Sequence, residues 1–353
     1  MIEKTVSIGI LGGTGYGAGE LLRLLAQHPA AQVVSVVSTS SAGGSIVDAH
    51  PHLAGVYDGV FDAELNLEVM TRFPYRVVFS ALPHGTTAET VQRLLPAFER
   101  DKIRLIDLSA DFRLEDPAQH KRFYPESESP AVLRKRFVYG MPELKREQIA
   151  TSTYVANPGC LATASILALL PLTKLDGGIT GNVVFDAKTG TSGAGRGLQQ
   201  NLHHPMRHAS VAAYKMLEHR HEPEIRQGLG DAGGERFSTL FVPHLLPVSR
   251  GIFVTAYLTL PQAITTADLI EQYRSFYAPH PFVRVRTGSP ELHAVVGSNF
   301  CDVSVVSRGS QVVAMAALDN LIKGMAGQAI QNMNLQLGFL ETAGLQAAAL
   351  GLL

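Results

Sequence analysis

The chain has 353 residues, enough for two or three domain-sized units with a substantial core. Hydrophobic residues make up 46% and charged residues 17%, a balance that excludes a disordered chain. With Lys+Arg at 30 and Asp+Glu at 31 the formal net charge is −1, and there is no basic stripe, so the expected partner is a small molecule and no nucleic acid. Met1 to Thr5 has none of the n-region, h-region and cleavage-site features of a secretory leader, and no apolar run is long enough to span a bilayer. Cys160 and Cys301 are the two cysteines and form no CxxC pair. A disulfide framework or cysteine zinc site is therefore not expected, and a reducing cytoplasm is.

Val6 to Leu11 reads as a buried parallel strand, followed by Gly12-Gly13-Thr14-Gly15-Tyr16-Gly17. Glu20 to Gln27 then predicts a helix with Leu21, Leu22, Leu24 and Leu25 on one face, stopped at His28-Pro29. Strands are expected at Val33–Val37, Val77–Phe79 and Ile103–Leu108, with a helix through Val91, Leu94 and Leu95. This alternation predicts an α/β, Rossmann-type doubly wound parallel sheet. Beyond residue 155 the pattern changes to longer β-branched and aromatic runs at 182–188, 238–242 and 252–260. A helix at 266–277, strands at 282–286 and 311–314 and a short surface loop at Gly233-Gly234 follow. The second domain is thus expected to be α+β with a mixed or antiparallel sheet. The expected boundaries are 1–156 for the first domain, joined by a helical segment 319–353 (helix over 319–340), and 157–318 for the second.

Gly9, Gly12 and Gly15 repeat every third residue between a strand and a helix. Glycine there lets the chain turn tightly and its amides approach a pyrophosphate at a helix N-terminus. An ordinary glycine-rich βα turn is the alternative reading. After the second strand, Ser38-Thr39-Ser40-Ser41 offers hydroxyls and no acid for a ribose 2′-OH, which favours NADP over NAD.

Cys160 follows Asn157-Pro158-Gly159 and opens an apolar helix, where the unsatisfied N–H groups favour a thiolate. The alternative is a buried structural thiol, the fate expected for Cys301. A thiolate nucleophile needs a proton carrier, and His203, His204, His208, His219 and His221 form a histidine-dense stretch. His219-Arg220-His221-Glu222-Pro223-Glu224 is its most unusual part; a solvated polar loop and a His-x-His metal site are its other readings, the metal ranked last.

These residues belong to a series of motifs that resembles one family nearly end to end. The series includes Gly12-Gly13-Thr14-Gly15-Tyr16-Gly17-Ala18-Gly19-Glu20, Ala81-Leu82-Pro83-His84-Gly85, Ser109-Ala110-Asp111-Phe112-Arg113 and Tyr139-Gly140-Met141-Pro142-Glu143. Asn157-Pro158-Gly159-Cys160, Ser192-Gly193-Ala194-Gly195, the His219–Glu224 run, Gly297-Ser298-Asn299-Phe300-Cys301-Asp302 and Asp319-Asn320-Leu321-Ile322-Lys323-Gly324 complete it. The chain is similar to the N-acetyl-gamma-glutamyl-phosphate reductases, arginine-pathway relatives of aspartate-semialdehyde dehydrogenase.

The resemblance implies NADPH-dependent reduction of an acyl phosphate through a cysteine thioester, in a homo-oligomer, a tetramer or a dimer. It implies Cys160 as nucleophile, and His219 as general acid/base with His221 as substitute. Arg113, Tyr214, His221 and Glu224 would line the substrate site. Gly12, Thr14, Gly15, Tyr16, Gly17, Ser38, Pro83, Gly193 and Asn320 would surround the cofactor. Two departures stand out: no Arg follows Ser38, and Leu202 to His208 is closer to the lysine-pathway branch, whose substrate is an aminoadipyl phosphate on a carrier. That substrate, and a non-catalytic NADP-binding sensor, are the alternative functions.

Overall fold

The structure, a computed structural model, describes residues 4–231 and 237–352, and the statements below concern these. The loop expected at Gly233-Gly234 lies outside them. The chain divides into two compact units, Met1–Pro158 with Met325–Gln346, and Gly159–Gly324 with Ala347–Leu353.

The first unit begins with β1 (Val6–Leu11), α1 (Tyr16–Leu25) and β2 (Ala31–Val37). After the short helices α2 (Ile46–Ala49) and α3 (Leu67–Thr71) come β3 (Tyr75–Ser80), α4 (Thr87–Arg100) and β4 (Arg104–Asp107). Then follow α5 (Pro117–Phe123), α6 (Ala131–Arg134), β5 (Phe137–Tyr139), α7 (Pro142–Thr151) and β6 (Tyr154–Ala156). The six strands form one parallel sheet in the order β2-β1-β3-β4-β6-β5. The doubly wound parallel sheet read from the sequence is therefore present. Strand order reverses between β1 and β3, and it is outside the carboxyl ends of such strands that ligands of open α/β sheets bind.

The second unit opens with α8 (Cys160–Leu169) and continues through β7 (Gly181–Thr189), α9 (His204–Arg207), β8 (Ala212–Ala213) and α10 (Glu222–Asp231). It ends with β9 (Phe237–Leu245), β10 (Ile252–Thr259), α11 (Thr266–Tyr277), β11 (Val283–Val285), β12 (Cys301–Arg308) and β13 (Gln311–Leu318). The sheet is mixed, in the order β11-β12-β13-β10-β7-β9-β8. Helix α8 is buried from Leu161 to Leu169 because it is apolar all round, and it packs on β10 and β13. Its last carbonyls are satisfied from outside: Tyr277 Oη donates to Leu167 O (2.6 Å) and Tyr273 Oη to Ala168 O (2.5 Å).

The segment that rejoins the first unit is shorter than the sequence reading set it. Residues 319–324 cluster with the second unit, as do the last seven, Ala347–Leu353. A π-turn at Ile322–Ala326 precedes α12 (Gly327–Gln336), which packs on α7 and α1 and stops short of the expected residue 340. Gln328 Nε2 and Asn332 Nδ2 from α12 donate to Gly140 O (2.9 and 2.8 Å), and Asn332 Nδ2 also reaches Asn157 Oδ1 (3.1 Å). Asn157 N in turn donates to Asp107 O (2.7 Å), so the chain leaving β6 is held before it reaches Pro158.

Candidate active site

The glycine turn is close-packed on one side and open on the other. Gly12 has φ +82°, and a Cβ there would lie 2.6 Å from Ala81 O, in the loop after β3. Gly13 is equally confined, with Val36 Cγ1 at 2.7 Å, and the N–H groups of Gly12 and Gly13 both donate to Val37 O (3.1 and 2.8 Å). Gly15 is different: the nearest atom a Cβ would meet is Gly12 O at 3.9 Å. Gly15 is the N-cap of α1, and Tyr16 beside it is exposed. Backbone pinned to the sheet, with space at the first N–H groups of a ten-residue helix, fits a dinucleotide pyrophosphate.

Ser38 is buried at the end of β2, its Oγ 3.4 Å from Ser40 Oγ. Sequence reading found no acid at that strand end, and the one the fold brings alongside β2 has its carboxylate on Ser35 rather than on Ser38. Asp62 bridges to Val37, and its Oδ2 accepts from Ser35 Oγ (2.6 Å). Pro83 and Arg113 also belong to this unit. Asp107 is fully buried, its carboxyl pushed up to about 7 by burial, and it accepts from Ser109 N and Oγ (2.9 and 2.7 Å). Asp111 accepts from Gly85 N (2.8 Å) and Ala88 N (2.9 Å) at the start of α4. The turn so fixed presents Arg113, whose Nε and Nη2 donate to Asn157 O (2.7 Å) and Leu108 O (2.8 Å).

In the second unit the structure brings together Cys160, Tyr214, His219, His221 and Glu224. Cys160 is the first residue of α8, and Gly159 is its N-cap with extended backbone. Glu224, fully buried in the first turn of α10, accepts from Gly159 N (2.8 Å). The approach is tight: a Cβ on Gly159 would lie 2.4 Å from His221 Nε2 and 2.7 Å from Glu224 Oε1. From the other side Gly324, in the π-turn, presses on Cys160, and a Cβ there would lie 2.7 Å from Cys160 Cβ. Sequence reading had Gly324 only as the last residue of a motif, with no local signal that it packs on Cys160.

The His219 ring contacts Tyr214 (5.5 Å between centroids), His221 (4.8 Å) and Phe241 (5.3 Å). Its Nδ1 accepts from His221 N (3.1 Å), so the neutral ring carries its proton on Nε2. Burial first, then the neighbouring Lys215 and Arg220, push its pKa down to about 3. Burial first, then the neighbouring Cys160, push the Tyr214 phenol up. His203, His204 and His208 lie apart on and around α9, with the His204 and His208 rings stacked at 5.2 Å. Cys301 is fully buried at the start of β12. Among the described residues no group of three or more His, Cys, Asp and Glu could hold a metal ion.

The His219 shift carries a stability consequence. Between about 3 and 6.5 the unfolded chain binds a proton at this position that the folded chain does not, so stability falls as pH falls through that window. The melting temperature is expected to drop more steeply between about pH 7 and pH 4 in the wild type than in His219→Gln. Parallel curves would remove His219 from the acid lability.

Asn320 and Gly193 lie together in the same unit. Asn320 Nδ2 donates to Ser192 Oγ (2.9 Å), and its Oδ1 accepts from Gly251 N (2.7 Å). Neighbouring Asp319 is buried and pairs with Arg250 (3.0 Å), and it accepts from Gly297 N (2.8 Å) and Leu321 N (2.8 Å). This network holds the Ser192–Gly195 turn and the start of the π-turn that carries Gly324.

Comparison with known proteins agrees over both units. Residues 7–152 match the semialdehyde dehydrogenase NAD-binding domain, and residues 160–320 match the semialdehyde dehydrogenase dimerisation domain. The N-acetyl-gamma-glutamyl-phosphate reductase of Symbiobacterium thermophilum is 44% identical over 97% of this chain and 97% of its own. The chain belongs to the N-acetyl-gamma-glutamyl-phosphate reductase family. Within that family, the Pseudomonas syringae reductase is 44% identical over 98% of this chain and 99% of its own, and the Methanococcus maripaludis reductase 40% over the same shares. This family member is thus an oxidoreductase of the semialdehyde dehydrogenase group. Its fold is shared with aspartate semialdehyde dehydrogenase of Candida albicans, solved with NADP (TM-score 0.67, 16% identity, 93% of this chain and 97% of that one). The Vibrio cholerae aspartate semialdehyde dehydrogenase II gives a TM-score of 0.66 at 16% identity, over 94% and 98%.

Proposed function

We propose that the protein reduces N-acetyl-L-glutamyl 5-phosphate to N-acetyl-L-glutamate 5-semialdehyde with NADPH, releasing phosphate, in arginine biosynthesis. The observation that carries this is Cys160 at the first position of a buried helix, with His219, His221, Tyr214 and Glu224 gathered around it. Relatives at 40–44% identity over nearly the whole length bear the N-acetyl-glutamyl name, which favours that acyl group over an aminoadipyl one.

The helix N-terminus stabilises the Cys160 thiolate, which attacks the acyl carbonyl. The carbon–oxygen bond to phosphate breaks, inorganic phosphate leaves with the electron pair, and a thioester remains on Sγ. Bound NADPH supplies the hydride. His219 acts as a neutral donor: its Nε2–H meets the thiohemiacetal oxygen and shares its proton until the carbon–sulfur bond breaks. Collapse frees the aldehyde and regenerates the thiolate. Glu224 holds Gly159 N, and so the N-cap from which Cys160 starts. Tyr214, against the His219 ring, borders the substrate site. Gly12, Thr14, Gly15, Tyr16, Gly17, Ser38 and Pro83 of the first unit would hold the cofactor, with hydroxyls rather than a guanidinium at the 2′-phosphate.

The reverse reaction tests this reading. N-acetylglutamate 5-semialdehyde should reduce NADP⁺ only when inorganic phosphate is present, faster than an aminoadipate semialdehyde does and faster than with NAD⁺. No phosphate-dependent turnover, together with a Cys160 that alkylates slowly at neutral pH, would leave a cofactor sensor in its place.

The second unit supports a homo-oligomer, and its two cysteines, in no disulfide, suit a reducing cytoplasm. One side of its sheet carries an apolar row in register across five strands: Val306, Val313, Tyr257, Val184 and Leu240. Tyr257, Leu240 and Val306 are 43%, 41% and 39% exposed, a patch that association would cover. Tyr257→Arg should lower the mass measured by light scattering toward that of a monomer, and an unchanged mass would move the interface elsewhere.

A further inference from the structure

His50 enters neither the motif series nor the mechanism, yet it is buried to 3% exposure beneath the cofactor turn. It follows α2, in the connection after β2, and its Nε2–H donates to Gly13 O at 2.7 Å. The ring fits there because Gly19, inside α1, has no side chain: a Cβ would lie 2.7 Å from His50 Nδ1 and 3.0 Å from Cε1. Gly13 is thereby held from both ends, its N–H by Val37 O and its carbonyl by His50. In a trans peptide the carbonyl and the following N–H point in opposite directions. Anchoring Gly13 O on the buried side therefore turns the Thr14 N–H away from His50.

We propose that His50 is a positioning residue for the dinucleotide: by pinning the Gly13 carbonyl it orients the Thr14 amide and holds the turn in its pyrophosphate-binding shape before the cofactor arrives. Gly19 belongs to the same device, since its missing methyl is the space the imidazole occupies. Preorganisation of this kind acts on cofactor affinity and leaves the chemistry at Cys160 alone. The proposal rests on the NADPH reading of the turn.

Fluorescence titration with NADPH on the full chain tests it, alongside kcat and the alkylation rate of Cys160. His50→Ala leaves a buried carbonyl without its donor and should raise the NADPH Kd about tenfold, with kcat at saturating cofactor within about threefold of wild type. His50→Gln, whose amide can reach the same carbonyl, should recover most of that loss, which a mere gap in packing would not allow. Gly19→Ala should raise Kd by a similar factor by displacing the ring, and the double variant His50→Ala, Gly19→Ala should be no worse than His50→Ala alone. A Kd for His50→Ala within about twofold of wild type would overturn the proposal, as would additive single effects or no recovery with Gln. Should His50→Ala fail to fold, the Gly19→Ala and Gln variants decide it alone. Wild-type protein without saturable NADPH binding would overturn the parent reading as well, an outcome visible before any variant is made.

Discussion

Cys160→Ser is expected to bind NADPH as the wild type does and to lose reductase activity by about 10³-fold or more, at least ~4 kcal/mol of barrier. The loss comes from the chemistry of one atom. A serine hydroxyl at the same helix N-terminus stays protonated at neutral pH, and an oxygen ester accepts hydride less readily than a thioester. Because Cys160 is half-buried at the first position of α8 and serine has nearly its size, the substitution should leave folding unchanged. Two measurements check it: NADPH titration, and single-turnover release of phosphate from the acyl phosphate. Retention of substantial phosphate release would sink the thioester mechanism, since phosphate leaves in the step that the sulfur performs.

Gly324→Ala should have the next largest effect, a fall of about 100-fold in kcat/KM with the NADPH Kd little changed. The added methyl would stand 2.7 Å from Cys160 Cβ and 3.3 Å from Cys160 Cα, so what must move is the nucleophile's own backbone. A misplacement of about 1 Å is enough for a loss of that size. Gly288→Ala is the control, because a Cβ there meets nothing within 4 Å and activity should not change. Equal behaviour of the two variants would show that the π-turn does not set the position of Cys160. Asp319 and Arg250 add a graded version, since their ion pair and the Gly297 and Leu321 amides fix where that turn begins.

The elements legible in the sequence were those with a clear period or an uninterrupted apolar run. Helix α11 was predicted at its observed bounds, and β1 from its six buried residues. Strand β5 was missed because it has three residues, too few for alternation to register. No bounds were read for β12. It carries Asp302 and Ser304 into the core, where Asp302 is paired by Arg284 (2.5 Å), and a polar residue inside a buried strand hides its pattern. The tail was read as one long helix. The π-turn and α12 divide it instead, and Asp319 holds the break by accepting from the Leu321 and Ile322 amides.

For the site the division is sharper. Cys160 was legible because its chemistry is local: a Pro-Gly break followed by an apolar helix puts a thiol on a helix N-terminus whatever else the chain does. The glycine turn was legible for the same reason, since strand, glycines and helix are contiguous. Which imidazole does what was not legible, because His219 and His221 differ only in three-dimensional surroundings. Burial and the His221 amide make His219 a neutral Nε2–H donor, while His221 lies against Gly159 beside a buried carboxylate. Asp62, His50 and Gly324 are further cases, each brought to its partner from a distant part of the chain.

The sequence by itself thus determined a thiol at a helix N-terminus, a glycine turn between a strand and a helix, and the alternation that builds the doubly wound sheet. Only the tertiary structure decided what surrounds Cys160: an approach at Gly324 too close for a methyl, another at Gly159, and a carboxylate on the N-cap amide. Thiolate position and imidazole protonation depend on distances of a few tenths of an ångström between segments far apart in the chain, and close packing alone sets those distances.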